Sequence, residues 1–128
     1  MTAESVRVAT GRRVTKPWGY EVIWAETDRY AAKVLVIEAD AQLSLQLHAR
    51  KDEWVLVLEG ELGLLLEDDY GRLRLHALGP GDSAHVPPTR RHRFIGRTRV
   101  ELIEVSSPEL DDVVRLADDY GRQGTSAP

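Results

Sequence analysis

The stretch LSLQLHARKDEWVLVLEG, Leu43–Gly60, decides how the rest of the chain is read. It holds two apolar runs separated by the polar turn ARKD, residues 49–52, and it closes on Gly60. Side chains of a strand alternate between faces, so the two runs read as an antiparallel hairpin. Leu43, Leu45 and Leu47 share one face, opposite Ser44, Gln46 and His48. In the second run Glu53, Val55 and Val57 point one way, and Trp54, Leu56 and Leu58 the other. Pairing the runs brings Glu53 beside Gln46 and His48. An amide, an imidazole and a carboxylate are poor core residues unless something inside pairs with them. A bound metal is one such partner.

Outward from this hairpin the pattern repeats. YAAKVLVIEA, ELGLLLED, RLRLHAL, SAHVPP, HRFIG and RVELIEVS are short apolar runs, with turn signals EADAQ, EGE, DDYGR, GPGD and PPTR between them. Many short strands with regular turns and no intervening helix imply an all-β antiparallel sandwich or barrel. Only SPELDDVVRLADDYG reads as a helix, from a Ser107-Pro108 start to a stop at Gly121. Residues 1–15 read as an N-terminal arm, 16–122 as one domain and 123–128 as a flexible tail. A barrel has one inside, yet the hairpin is apolar on both faces beyond Glu53. A second subunit covering the Leu- and Trp-bearing face is therefore expected, which makes the protein a homodimer.

The totals exclude several function classes. The chain has 128 residues, enough for one domain with its own core. With no cysteine, disulfides, thiolate metal sites and cysteine nucleophiles are ruled out. A formal charge of −4 argues against nucleic acid as a partner. The N-terminus lacks the apolar core of a signal peptide, and no apolar run approaches the roughly 20 residues that cross a bilayer. A cytoplasmic protein with no membrane partner is the expectation.

The candidate site combines Gln46, His48 and Glu53 with the histidines of GDSAHVPPTRRHRF, His85 and His92. Two or three imidazoles with a carboxylate and an amide oxygen suit a first-row divalent ion. From the residues alone a second reading stands beside it. His48 and His92 can be satisfied core histidines, Gln46 an outward amide and Glu53 a solvated strand end.

The hairpin resembles the first motif of the cupin superfamily, G-x5-H-x-H-x(3,4)-E-x6-G, with Asp40, Gln46, His48, Glu53 and Gly60 at the motif's spacing. The second motif, G-x5-P-x-G-x2-H-x3-N, is matched by Gly81, Pro87 and His92. Asp40 and Thr89 stand where the motifs carry glycine, and Gly96 where the second carries asparagine. KPWGYEVI, AAKVLVIEADAQLSLQLHARKDEWVLVLEGE and ELDDVVRLADDYGR narrow the likeness further. They resemble the C-terminal cupin of type II mannose-6-phosphate isomerases, a domain often fused to a GDP-mannose pyrophosphorylase.

The resemblance implies a cupin jelly roll with a short C-terminal helix. It also implies one divalent metal ion on Gln46, His48, Glu53 and His92. Zinc is the first expectation, with manganese, nickel, cobalt or iron as alternatives. Glutamine at the first ligand position is usual in that family. Two histidines that often follow His48 there are Ala49 and Arg50 here, and a tyrosine before the second motif's turn is His85. Nothing in the chain resembles the glycine-rich nucleotide-binding start of the pyrophosphorylase. The implied function is a metal-dependent sugar-phosphate isomerase. In that reading His85 is the base, Lys33 its runner-up, and Arg90, Arg91 and Arg93 hold the phosphate. A metal-dependent oxygenase and a non-catalytic sugar-binding cupin are the alternatives, because one fold hosts many chemistries.

Overall fold

A computed structural model describes residues 5–125. The strands are β1 (Arg12–Lys16), β2 (Gly19–Glu26), β3 (Ala31–Ile37), β4 (Leu45–Leu47), β5 (Glu53–Glu59) and β6 (Leu62–Glu67). They continue as β7 (Leu73–Leu78), β8 (Ser83–Val86), β9 (His92–Gly96), β10 (Val100–Ser106), β11 (Val114–Ala117) and β12 (Gly124–Thr125). Two antiparallel six-stranded sheets result, in the orders β1-β2-β3-β10-β5-β8 and β12-β11-β4-β9-β6-β7. The expected all-β jelly roll is therefore present. No helix long and apolar enough to cross a membrane occurs among the described residues.

The inward positions of both sheets enclose one core of Trp18, Leu35, Ile37, Leu43, Val55, Val57, Leu62, Leu64, Phe94, Val100 and Leu102. Alternation explains the choice. On β5 the buried residues are Glu53, Val55 and Val57, while Trp54, Leu56 and Leu58 are exposed. On β10 Val100, Leu102, Glu104 and Ser106 are buried. The outer face of the first sheet keeps Trp24, Trp54, Leu56, Leu58 and Val105 exposed.

Both turn positions where the cupin motifs carry glycine keep a left-handed backbone, with φ of 64° at Asp40 and 70° at Thr89. Asp40 tolerates this region, whereas β-branched Thr89 is strained there. The turns are held from outside: the Asp40 amide donates to the Gly96 carbonyl at 2.7 Å and the Thr89 amide to the His48 carbonyl at 2.6 Å.

The expected C-terminal helix is corrected. Residues 107–113 form a looped strap, and Val114–Ala117 is strand β11, paired with β4 through Val114↔Leu47 and Arg115↔Gln46. The Asp112 and Asp118 carboxylates accept from backbone amides, Asp112 from Ala49, Arg50 and Lys51, and Asp118 from Arg122. Such bonds compete with helical ones, and Val113-Val114 favours the extended form. Strand pairing also passes the expected domain limits. β1 starts at Arg12 inside the assigned arm, and β12 lies inside the assigned tail. The remainder of that arm and tail, residues 1–4 and 126–128, falls outside the described residues.

Candidate metal centre

His48 follows β4, Glu53 opens β5 and His92 opens β9. Register explains their meeting: Gln46 pairs with His92 across β4 and β9, and the four-residue turn 49–52 carries the chain from His48 to Glu53. All three ligand-type residues are buried, and one ligand atom from each lies within 4.8 Å of the others. Glu53 Oε1 stands 3.3 Å from His92 Nε2 and 3.7 Å from His48 Nε2.

The protonation pattern follows from the hydrogen bonds. His48 Nδ1 faces the Asp112 carbonyl, and His92 Nδ1 faces the Arg90 carbonyl at 2.9 Å. A carbonyl only accepts, so each Nδ1 carries a proton and each ring presents its Nε2 to Glu53, the nitrogen that a neutral ring offers to a cation. His48 Nε2 and both Glu53 oxygens are buried with no hydrogen-bond partner. The Lys51 ammonium, 3.2 Å from Oε2, meets one of them; His48 Nε2 and Glu53 Oε1 are costly to bury unless a further cation meets them. Two imidazole nitrogens and a carboxylate oxygen are a donor set for a divalent first-row ion, and the backbone carbonyls behind the rings supply the orientation such ligands need. The residues thus fit the implied metal.

Gln46 lies beside this trio. Its Nε2 is 3.5 Å from His92 Nε2, and its Oε1 accepts from Ser44 Oγ at 2.7 Å. For its oxygen to be a fourth ligand the amide must turn over and release Ser44.

A cavity of about 60 Å³ opens above the site, several times the roughly 10–15 Å³ that one water requires. Trp18, Leu35, Leu43 and Phe94 form its apolar wall, and Leu110 and Val113 come from the strap. Five cationic residues also line it, Lys16, Lys33, Lys51, Arg115 and Arg122, against Glu21 and Glu104. Lys33 Nζ donates to Glu21 Oε2 at 3.3 Å. Lys51 Nζ donates to Glu104 Oε2 at 2.9 Å and sits 3.2 Å from Glu53 Oε2, within ion-pair distance. Burial opposes the charge on Lys51, but Glu104 and Glu53 outweigh it and hold the ammonium above its ordinary range. Burial would likewise raise the Glu53 carboxyl, but the Lys51 ammonium beside it prevails and holds it well below the carboxylate range. Glu104 goes up, pushed by burial and by the Glu53 charge. Lys16 goes down, chiefly through burial.

Among the other residues expected at the site, only Lys33 reaches the cavity. His85 is corrected: it pairs with Trp54 in register, so it lies on the outer face, stacked on that indole at 5.1 Å and bound to Asp52 Oδ1 at 2.6 Å. Val86, paired with Glu53, is the inward residue of that strand. The three arginines are also corrected. Arg90 bonds Asp69 at 2.8 Å, Arg91 bonds Glu67 at 3.1 Å, and Arg93 spans the Leu43 and Ala117 carbonyls at 2.8 and 3.2 Å. None of them lines the cavity. The other cations that line it, Lys16, Lys51, Arg115 and Arg122, and Glu21 and Glu104, escaped the reading of the sequence. Their signal was a charged residue at an inward position of an apolar strand, visible at Glu21 and Glu104 as at Lys33.

The mannose-1-phosphate guanylyltransferase of Escherichia coli K12 is 36% identical over 117 residues, covering 87% of this chain and 23% of the relative. The mannose-1-phosphate guanylyltransferase ManC of Salmonella typhimurium is 35% identical over 117 residues, with the same two shares. The chain thus spans about a quarter of these relatives. An RmlC-like cupin from Shewanella frigidimarina superposes with a TM-score of 0.67 at 23% identity, covering 77% of this chain and 84% of that one, which shows the fold. The relatives overturn the isomerase expectation: they are enzymes named for guanylyl transfer, and the base which that expectation required is on the outside of the barrel. A family profile described as mannose-6-phosphate isomerase C-terminal matches residues 3–118, and the chain belongs to that family of cupin domains.

Proposed function

We propose that the chain is a metal-dependent cupin that binds a phosphorylated hexose, mannose 1-phosphate first, and serves guanylyl transfer to that sugar. The observation that carries this reading is the buried lone-pair trio His48, Glu53 and His92 beneath a cavity rich in cations. A phosphate dianion suits the side of the cavity formed by Lys16, Arg115 and Arg122. The cavity admits a small group. An adjoining groove of about 700 Å³, lined by Arg12, Arg50 and the strap, has room for the rest of the ligand. Leu110 and Glu21 line both spaces.

The three ligands suit zinc with a position left open, and zinc is our first candidate ion. When bound, a divalent ion polarises a ligand oxygen and stabilises charge on it. The chain's own residues do the rest. Trp18, Leu35 and Phe94 keep the wall dry, Glu21 holds Lys33, and Glu104 holds Lys51 against the carboxylate of Glu53. The guanylyltransferase names of the relatives direct the choice of sugar. Calorimetric titration of zinc-loaded protein with mannose 1-phosphate, mannose and inorganic phosphate tests it. Mannose 1-phosphate should bind more tightly than either fragment, and Arg122→Ala should weaken it. Equal binding of all three, or none, defeats the reading.

We also propose that the outer face of the first sheet meets a second copy of the chain. In register across it lie Val105↔Trp54, Ile103↔Leu56 and Val34↔Ile103, an apolar stripe flanked by the His85–Asp52 and Arg99–Glu101 pairs, on a chain of net charge −4. Two such chains repel except through a neutral face, and a two-fold contact uses the same patch twice. Sedimentation should give a dimer that Leu56→Asp dissociates; a monomer at tens of micromolar contradicts it.

A further inference from the structure

Of the four amides in the turn between the two ligand strands, three are held by one residue, Asp112, and the fourth, that of Asp52, by Ser107. The Asp112 carboxylate accepts from the amides of Ala49, Arg50 and Lys51 at 3.0, 2.6 and 2.9 Å. Those amides belong to the turn that separates His48 from Glu53. The carbonyl of the same residue accepts from His48 Nδ1. Its neighbour Val113 and the strap residue Leu110 roof the cavity. The strap is tied at its other end by Ser107, whose amide donates to the Asp52 carbonyl at 3.0 Å and whose Oγ accepts from the Asp52 amide at 2.9 Å.

We propose that Asp112 is the positioning residue of the metal centre, setting the ring of His48 and the His48–Glu53 spacing together, and so coupling the cavity roof to the ion. This rests on the metal reading above. Asp112 lines the adjoining groove but holds no ion; it acts on the metal centre through His48 and the 49–51 backbone. Removing its carboxylate frees three amides and lets the strap lift, which takes the Asp112 carbonyl away from His48. The ring is then free to carry its proton on Nε2, where it blocks a ligand position.

Asp68 provides the control. Its carboxylate also gathers neighbouring donors, the amides of Tyr70 and Arg72 and the Arg74 side chain, but in the β6–β7 hairpin. Zinc affinity is measured by competition with a chelator for wild type, Asp112→Ala and Asp68→Ala. Asp112→Ala should lose roughly 10–100-fold and Asp68→Ala less than twofold. In metal-free protein the ring nitrogen NMR signals of His48 should show Nδ1–H in wild type and a mixture in Asp112→Ala. A variant with wild-type affinity and an unchanged ring overturns the proposal, as does an equal loss in Asp68→Ala. If Asp112→Ala does not fold, amide exchange on the wild type decides. Zinc should slow Ala49, Arg50 and Lys51 and leave Tyr70 and Arg72 unchanged, and no slowing overturns the proposal. If the wild type binds no zinc, the metal reading falls by itself and the His48 ring signals alone judge Asp112.

Discussion

Several strands run from an apolar end of the barrel interior to a charged one. On β10, Val100 and Leu102 give way to Glu104 and Ser106; on β5, Val57 and Val55 to Glu53; on β3, Ile37 and Leu35 to Lys33. On β9 the change is from Phe94 to His92. The β3–β10 and β6–β9 ladders run unbroken across both ends, and the β5–β10 ladder shifts register once, between Glu101 and Leu102, so the two ends differ chiefly in side chains. At the apolar end every group is satisfied by contact. At the charged end Glu21 Oε1, His48 Nε2 and both Glu53 oxygens are buried without a hydrogen bond. A domain kept only for its stability would do better with leucine there, because replacing buried ion pairs by packed apolar groups is often neutral or stabilising. The contrast teaches that one end makes the fold and the other uses it.

The largest expected effect is at the charged end. Lys51→Ala leaves the Glu53 and Glu104 carboxylates buried without their shared cation, and breaking such a group costs about 3–5 kcal/mol. Denaturant titration should show the full loss in metal-free protein and a smaller one with zinc, which restores a charge beside Glu53. An equal loss in both states would separate the lysine from the ion. Next is Leu64→Ala at the apolar end, where a cavity costs about 2–5 kcal/mol. Zinc should still bind the folded variant with unchanged stoichiometry; a parallel loss of zinc would mean that the two ends are not separable. His48→Ala should reverse that pattern. The metal-free fold should persist, while the gain from zinc, about 2.7 kcal/mol at a hundred times the dissociation constant, disappears from the melting curve.

The smallest effect concerns pH, where a carboxyl in a surface hairpin and one buried at the charged end respond with opposite sign. Asp68, in the β6–β7 hairpin, is held from 3.8 down to about 2, first by Arg74 and then by the Arg72 amide. Its folded value is below the ordinary one, so its contribution is present above pH 3.8 and is lost as pH falls toward 2. Glu104 is raised, so its contribution is complete below its ordinary 4.5 and is lost as pH rises through its folded value. Asp68→Asn should flatten the acid side of the stability curve between pH 3.8 and 2 only, and a change near neutrality would refute the assignment.

The sequence showed the apolar end well. Two-residue alternation from Leu43 to Gly60 and from Val100 to Ser106 marks strands, and the spacing of His48, Glu53 and His92 marks the floor of the site. Four of the cations were hidden because Lys16, Lys51, Arg115 and Arg122 come from distant segments, and each taken singly looks like a surface residue; Lys33, on an apolar strand, was the exception. His85 misled through phase: Ala84 and Val86 claim the inside of β8, which leaves Ser83 and His85 outside. Arg90 and Arg91 misled because their carboxylate partners, Asp69 and Glu67, sit more than twenty residues away on the hairpin. The C-terminal segment misled because Ser107-Pro108 and Gly121 look like the two ends of a helix, while Asp112 and Asp118 between them fasten neighbouring backbone.

Trp18 gives the protein an optical reporter. Of its three tryptophans, Trp24 and Trp54 are 53% and 49% exposed, whereas Trp18 is 3% exposed in the wall of the cavity. A collisional quencher dissolved in the buffer reaches the first two in the single chain and not the third. With Leu56→Asp keeping the outer face open, the emission that survives quenching comes from Trp18 alone, at the blue edge expected of a dry indole. Its change on adding zinc or a sugar phosphate follows occupancy of the cavity directly, in unlabelled protein and on the timescale of mixing.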